Sequence, residues 1–414
     1  MPTQAAFDGH IEDVLGAKPE DHGEASAAAA SDAGPLHIDL SLHCDLASIE
    51  KDWRGFEERA DCTVFQTFDW LSTWLRHIGV REGMRPAVVI GRHQGAILFV
   101  MPFAHDAKAR KIGWLGNSLC NYNGPLLAGD FSRRVGPAQF VQVWKQVRAL
   151  LQSSVGHDLI DLEKMPETIG EQANPFCTLR LTPHVNNAYL TALVGDWETY
   201  YAAKRSSATR RKDRKKQRSI AEYGEVRFST AANRDEIVRT LDALIEEKTV
   251  SYAKLGVDNM FERPGYRDFF LDIATGAQSA HLTNLSRLDV GAEVAAANFG
   301  LVFRGTYIYL IAGYNDGELG RFGPGSLQLL EMFQYAMGRG LKMFDFTIGD
   351  EPYKRDWYDV EMRLYDYASP ATLRGWVAFI PAQAMRRLKR RVRQNPAIWS
   401  MVRKARMMAS SLRR

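Results

Sequence analysis

The sequence predicts an α+β protein of two tandem domains followed by a basic helical tail. Three observations carry this. The chain has 414 residues with ordinary apolar (45%) and charged (25%) content, a length that suits about two domains. Two successive stretches each read as helix, strands, helix and strand: apolar residues recur at helical steps, then gather in short apolar runs. The unbalanced positive charge lies at the end. From Tyr367 onward there are twelve Lys and Arg and no acid, so with a total of +4 the first 366 residues carry −8.

Residues 1–35 are rich in Ala, Ser, Gly, Asp and Glu and predict a disordered extension. They lack the basic-then-apolar order of a secretory leader. No run of about 18 apolar residues exists, so no membrane span is expected. Cys44, Cys62, Cys120 and Cys177 form no CxxC and predict reduced thiols, without a metal site. A cytoplasmic protein follows.

Residues 36–185 form the expected first domain. ASIEKDWRGFEERA places Ile49, Trp53 and Phe56 on one helical face, and FDWLSTWLRHIG is a second helix. RPAVVIG and GAILFVMPFA are strands joined by the turn at Gly91–Gly95. FVQVWKQVRALLQ is helical and HDLIDLEKMP reads as a buried strand.

Residues 186–370 form the expected second domain. A long helical stretch breaks around Ser206–Ser207, and nine of the fifteen residues Lys204–Arg218 are basic. A solvated helix face or a phosphate-binding one fits that run, which lacks the interleaved aromatics of a single-strand nucleic-acid binder. The next helix carries Ile237, Leu241, Leu244 and Ile245 on one side. Three strands follow, then a loop GRFGPGS, the helix SLQLLEMFQYAMGRG and the strand LKMFDFTI.

That loop holds the chemistry. Glycines allow a ligand to approach the backbone closely, and the first amides of a helix have no intrahelical acceptor. Together with the helix dipole they suit a pyrophosphate. Tyr314 at the strand end, Arg321, Gly323, Gly325 and Ser326 are the candidate binding residues. The plainer reading is a loop with Ser326 as N-cap. A dinucleotide-binding or P-loop reading fails, because neither GxGxxG with a distal acid nor GK[ST] is present.

The block from SRLDVGAEVAAANF to FDFTIGDEPYKRDW resembles GNAT-type acyltransferases of the CelD/BcsL family, associated with cellulose and surface-polysaccharide biosynthesis and related to FemAB-like peptidyltransferases. The likeness extends upstream through DWETYYAAKRSSATRRKDRKKQRSIAEYG and VFQTFDWLSTWL, about Leu40 to Tyr367. It implies two tandem GNAT-like domains, mixed sheets flanked by helices, with the second holding acetyl-CoA or a longer acyl-CoA and no metal. Gly323 and Gly325 match the small positions of the family's CoA loop. Gly320 stands where Gln or Arg is expected, with Arg321 one place off. The resemblance also assigns Tyr353 and Lys354 to the reacting centre, Lys354 at the oxyanion or acceptor and Tyr353 at the leaving group. Asp350 is the candidate base and Glu351 the reserve. A salt-bridged surface turn is the alternative for these four.

The acceptor expected is a small molecule or a glycan precursor of the cell envelope. Two alternatives stand beside it: an aminoacyl-tRNA-dependent transferase, the one case calling for nucleic acid, and a catalytically silent envelope-assembly factor. In the tail (371–414), Met385, Leu388 and Val392 share a helical face with basic residues largely off it, and Trp376, Phe379, Ile380 and Trp399 add aromatic and apolar side chains. An anionic membrane surface, on the inner face of the membrane, is the expected partner of residues 373–414.

Overall fold

The computed structural model describes residues 36–116, 119–394, 398 and 401–402. The extension expected at 1–35, Trp399 and the end of the tail lie outside these. The fold is α+β, with mixed sheets flanked by helices in two compact units. No helix among the described residues is long and apolar enough to cross a membrane.

The first unit comprises residues up to Leu71, Gly83–His184 and Leu364–Phe379. One five-stranded sheet is ordered Asp39–His43, Val88–His93, Ala96–Met101, Leu126–Ala128 and Ala60–Asp61. A six-stranded sheet runs Thr182–Pro183, Leu364–Pro370, Leu159–Pro166, Lys111–Trp114, Phe103–Asp106 and Met84–Pro86. Helix Pro137–Ser154 contributes Phe140, Trp144 and Val147 to a core shared with Phe103, Trp114 and Phe176. Two boundaries need correction, and the first is that Ser72–Glu82, expected within the first domain, belongs to the second unit. The second domain was expected to run to residue 370, but Leu364–Pro370 pairs antiparallel with Leu159–Pro166. Its Tyr367 hydroxyl accepts a hydrogen bond from Trp144 Nε1 at 3.0 Å. Partners so distant along the chain leave no local signature in the sequence.

The second unit comprises Ser72–Glu82, Val185–Arg363 and residues from Ile380. Its seven strands are β1 (Ala188–Ala192), β2 (Val226–Thr230), β3 (Thr283–Val290), β4 (Glu293–Phe303), β5 (Thr306–Tyr314), β6 (Met343–Ile348) and β7 (Val360–Met362). Their order is β2-β3-β4-β5-β6-β1-β7. Neighbours are antiparallel except β5 and β6.

Helices cover both faces. They are α1 (Trp197–Lys204), α2 (Ser207–Ala221), α3 (Arg234–Leu255), α4 (Tyr266–Thr275) and α5 (Pro324–Gly338). Alternation along β3 shows the two sides. Arg287 Nη1 donates to Thr240 Oγ1 of α3 at 3.2 Å, while the Ser286 hydroxyl meets Met332 Sδ of α5 at 2.9 Å. The break expected near Ser206 is where α1 and α2 separate. Ser206 caps α2, its hydroxyl accepting from Thr209 N–H at 3.2 Å.

The parallel pair is short. Thr306, Tyr307 and Ile308 pair with Met343, Phe344 and Asp345, and no register pair follows among the described residues. Opposite, β5 stays paired with β4 as far as Tyr314–Ala296. The strands part where β5 bulges, since Tyr309 and Ile311 oppose Gly300 and Phe299 and leave Leu310 extra. The bulge rests on a buried polar group: the Tyr307 hydroxyl donates to Asn298 Oδ1 at 2.7 Å, and Asn298 Nδ2 donates to the Ile311 carbonyl at 2.9 Å. Gly300 leaves the room, because a Cβ there would fall inside the Tyr307 phenol. Gly300→Ala is therefore expected to cost about 1–3 kcal/mol through overpacking, read as a lower urea midpoint.

Candidate active site

On β6, Phe344 and Phe346 enter the core with Phe333 of α5, and Asp345 takes the other side. The Asp345 carboxylate accepts from Thr347 N–H at 2.7 Å. Thr347 is left-handed (φ +60°) and Gly349 has φ +126°, so the strand turns away here. A 3-10 turn, Pro352–Asp356, follows, and Trp357 locks it. Trp357 is buried against Tyr200, Tyr201 and Phe333, with the Arg205 guanidinium over its ring.

The turn places the four expected residues differently. Lys354 is buried (3% exposed), and its ammonium meets the carbonyls of Thr347 (3.4 Å) and Ile348 (3.2 Å) and Glu351 Oε2 (2.8 Å). Asp350 accepts from the Tyr189 hydroxyl at 2.7 Å and lies 3.7 Å from Arg393 Nε. Tyr353 is 39% exposed and stands edge-on to Phe346. Asp350 and Glu351 thus both have fixed partners.

A third carboxyl does not. Glu247, on α3, has both oxygens buried with no hydrogen-bond partner of good geometry among the described residues. It lies over Gly313 of β5, where a Cβ would sit 2.7 Å from Glu247 Oε2. Burial pushes its pKa up to about 8, Glu246 adds to this, and the Ala297 backbone and Lys248 oppose it. Glu247 also joins burial in raising the Tyr309 phenol. Burial lowers the Lys248 ammonium, with Glu351 and Glu247 pulling it back. Burial likewise raises the Tyr353 phenol, and Tyr309 and Glu351 add to this. Sequence reasoning missed Glu247. The available signal was an acid at the seventh position after buried Thr240 and the third after buried Leu244, on the apolar side of its helix.

The glycine loop is built from the same unit. Gly323 is left-handed (φ +66°) and is the N-cap of α5, followed by Pro324. Ser326 lies inside the first turn, its N–H bonded to the Gly323 carbonyl at 3.0 Å, so the N-cap reading of Ser326 is corrected. Tyr314 packs on Gly325, where a Cβ would be 3.1 Å from its ring. Arg321 is engaged elsewhere, donating to the Tyr223 hydroxyl and lying over the Tyr223 and Phe322 rings. The cation at the loop is Lys216 of α2, its Nζ 3.2 Å from the Cβ position of Gly323. A helix start without side-chain cap, a cradle open only to glycine and a lysine fit a pyrophosphate. The Lys204–Arg218 run is divided: Lys204 pairs with Asp359 and Arg205 with Asp356, while Arg211, Lys212, Arg214, Lys215 and Arg218 are exposed.

Residues 207–355 match the family model of the acetyltransferase (GNAT) domain. The second unit carries a GNAT acyltransferase domain. No curated protein matches the chain. Among solved structures, FemX is similar at 10% identity over 80% of this chain and 95% of that one, with a TM-score of 0.52. A tandem GNAT protein from the clavulanic acid biosynthesis pathway matches at 10% identity over 81% and 99%, TM-score 0.44. A GCN5-related N-acetyltransferase from Sphaerobacter thermophilus matches at 10% over 80% and 95%, TM-score 0.38. The likeness to FemX is one of fold. The GNAT domain implies an acyl-CoA co-substrate, and the chain is an acyltransferase.

Glu247 carries a pH signature. An ordinary glutamate ionises near 4.5 and this one near 8, so its folded form keeps the proton that the unfolded chain releases. Stability present below pH 4.5 is lost as pH rises through 8. Glu247→Gln should match wild type near pH 4 and exceed it in thermal midpoint by a margin that grows to pH 8 and is constant above. Lys354→Met should lower the midpoint at every pH in this range, because it strips two strand-end carbonyls of their donor.

Proposed function

We propose that this chain transfers an acyl group from a CoA thioester to an amine or hydroxyl, with Glu247 as base. The observation that carries it is the buried Glu247 carboxyl over Gly313, which no described side chain pairs with in good hydrogen-bond geometry, beside the gap between β5 and β6. The gap suits an extended acyl-pantetheine arm, and the edge of β5 beyond Ile308 supplies backbone N–H groups for the carbonyl oxygen. The Gly323–Ser326 turn and Lys216 would hold the pyrophosphate.

Glu247 takes the acceptor's proton as its nitrogen or oxygen attacks the thioester carbon. The carbonyl electron pair moves to oxygen, facing the β5 amides. When the pair returns, the carbon–sulfur bond breaks and the thiolate takes the Tyr353 hydroxyl proton. Water then removes the proton from Glu247 and restores that of Tyr353. Lys354 holds β6 turned aside and is a positioning residue in this scheme; Asp350 fixes Tyr189. The acceptor we favour is a sugar-containing precursor of the cell envelope, supported by the CelD/BcsL resemblance of the 286–357 block.

A second reading, an aminoacyl-tRNA donor, draws on the exposed cations of α2. Scanning fluorimetry separates the two. Acetyl-CoA or a longer acyl-CoA should raise the midpoint by several degrees, Gly325→Trp should abolish the shift, and Lys216→Glu should weaken binding roughly tenfold. A shift with aminoacyl-tRNA and none with any acyl-CoA would remove the CoA reading. Thiol release in the presence of amine and sugar acceptors should rise with pH to a plateau above about 8. Glu247→Gln should lower it by roughly 10²–10⁴ and erase that rise. Unaltered turnover in this variant would exclude Glu247 as base.

A further inference from the structure

Helix α6 (Leu373–Gln394) presents the wrong face to solvent for an ordinary surface helix. Leu373 is 86% exposed, Val377 75%, Ile380 61% and Trp376 51%. At about 100° per residue these four fall with Ala384 and Leu388 in one arc of about 120°. The opposite side is the one that packs. Gly375 is buried so closely that a Cβ would collide with the Asp158 carbonyl, whereas Gln383, also buried, lies at the edge of the stripe beside Trp376. The helix is therefore held by small and polar residues and turns its apolar stripe outward. A stripe of four large apolar side chains on an anchored helix calls for an apolar partner.

Charge says which. Neither α6 nor the sequence after it contains an acid, and α6 has seven Lys and Arg. Arg387 and Arg391 follow the stripe on its own side. Both are exposed and have no carboxylate partner among the described residues. Trp376, with Phe379 edge-on beside it, has the amphipathic ring that settles at a headgroup boundary. The helix is too charged to cross a bilayer. We propose that α6 lies in the plane of an anionic phospholipid surface, with Leu373, Trp376, Val377 and Ile380 inserted below the headgroups and Arg387 and Arg391 on lipid phosphates. This docking is independent of the acyl-transfer reading, since it uses none of the residues placed at that site.

Co-sedimentation of the full chain with vesicles tests it. Wild type should bind phosphatidylglycerol–phosphatidylcholine vesicles and bind pure phosphatidylcholine far more weakly. Trp376→Ser with Val377→Ser should weaken binding tenfold or more. Arg387→Gln and Arg391→Gln together should weaken it on the order of thirtyfold at low salt. Far-UV circular dichroism and an unchanged thermal midpoint show that the variants fold. Equal binding by wild type and the Trp376/Val377 variant overturns the proposal, as does binding to neither vesicle. A lipid-free, concentration-dependent dimer that the same pair of substitutions dissolves also overturns it, and assigns the stripe to a second copy of the chain.

Discussion

The second unit depends on the early parting of two parallel strands. β5 and β6 share three residue pairs and then separate, which leaves β5 with one unpaired edge inside the fold. An unpaired backbone edge is costly unless something replaces the ladder. Several devices do. The Tyr307–Asn298 pair supports the bulge and binds the Ile311 carbonyl. The Asp345 carboxylate takes the Thr347 amide, and the Lys354 ammonium takes the Thr347 and Ile348 carbonyls. Trp357 then fixes the turn against α1 and α5.

This gives the buried lysine a physical role. A cation 3% exposed between strand carbonyls and a carboxylate holds a conformation, and its three donors are matched to three acceptors. The buried carboxyl of Glu247 is the reverse case. It has no such partners, so burial is met by holding a proton more tightly. A group that keeps its proton near neutrality can accept and release one during turnover. In the proposed scheme the two residues divide the labour, Lys354 shaping the turn of β6 and Glu247 taking the proton.

Much of the fold was legible because its signals are local. The break between α1 and α2 was visible at Ser206, and the strand–glycine loop–helix order marked Gly323 and Gly325. The alternation that buries Phe344 and Phe346 also set Asp345 apart. The site was legible only in part. FDFTIGDEPYKRDW was recognisable as a strand end rich in functional groups, but Asp350 and Glu351 turned out to be paired with Tyr189 and Lys354. Glu247 lies about a hundred residues earlier, within a helix whose periodicity reads simply as core. Lys216 was one of nine basic residues with nothing to single it out.

The sequence by itself determined the α+β class, the succession of the main helices and of four of the second unit's strands, the glycine-led start of α5 and the basic tail. Each follows from periodicity, turn chemistry or composition within a few residues. Tertiary structure decided the rest. It placed Leu364–Pro370 in the first unit's sheet, set Glu247 over Gly313, brought Lys216 rather than Arg321 to the loop, and turned the apolar stripe of α6 outward. The physical reason is the same each time. Pairing, desolvation and charge partnership depend on which distant residues meet, and local pattern carries no record of that.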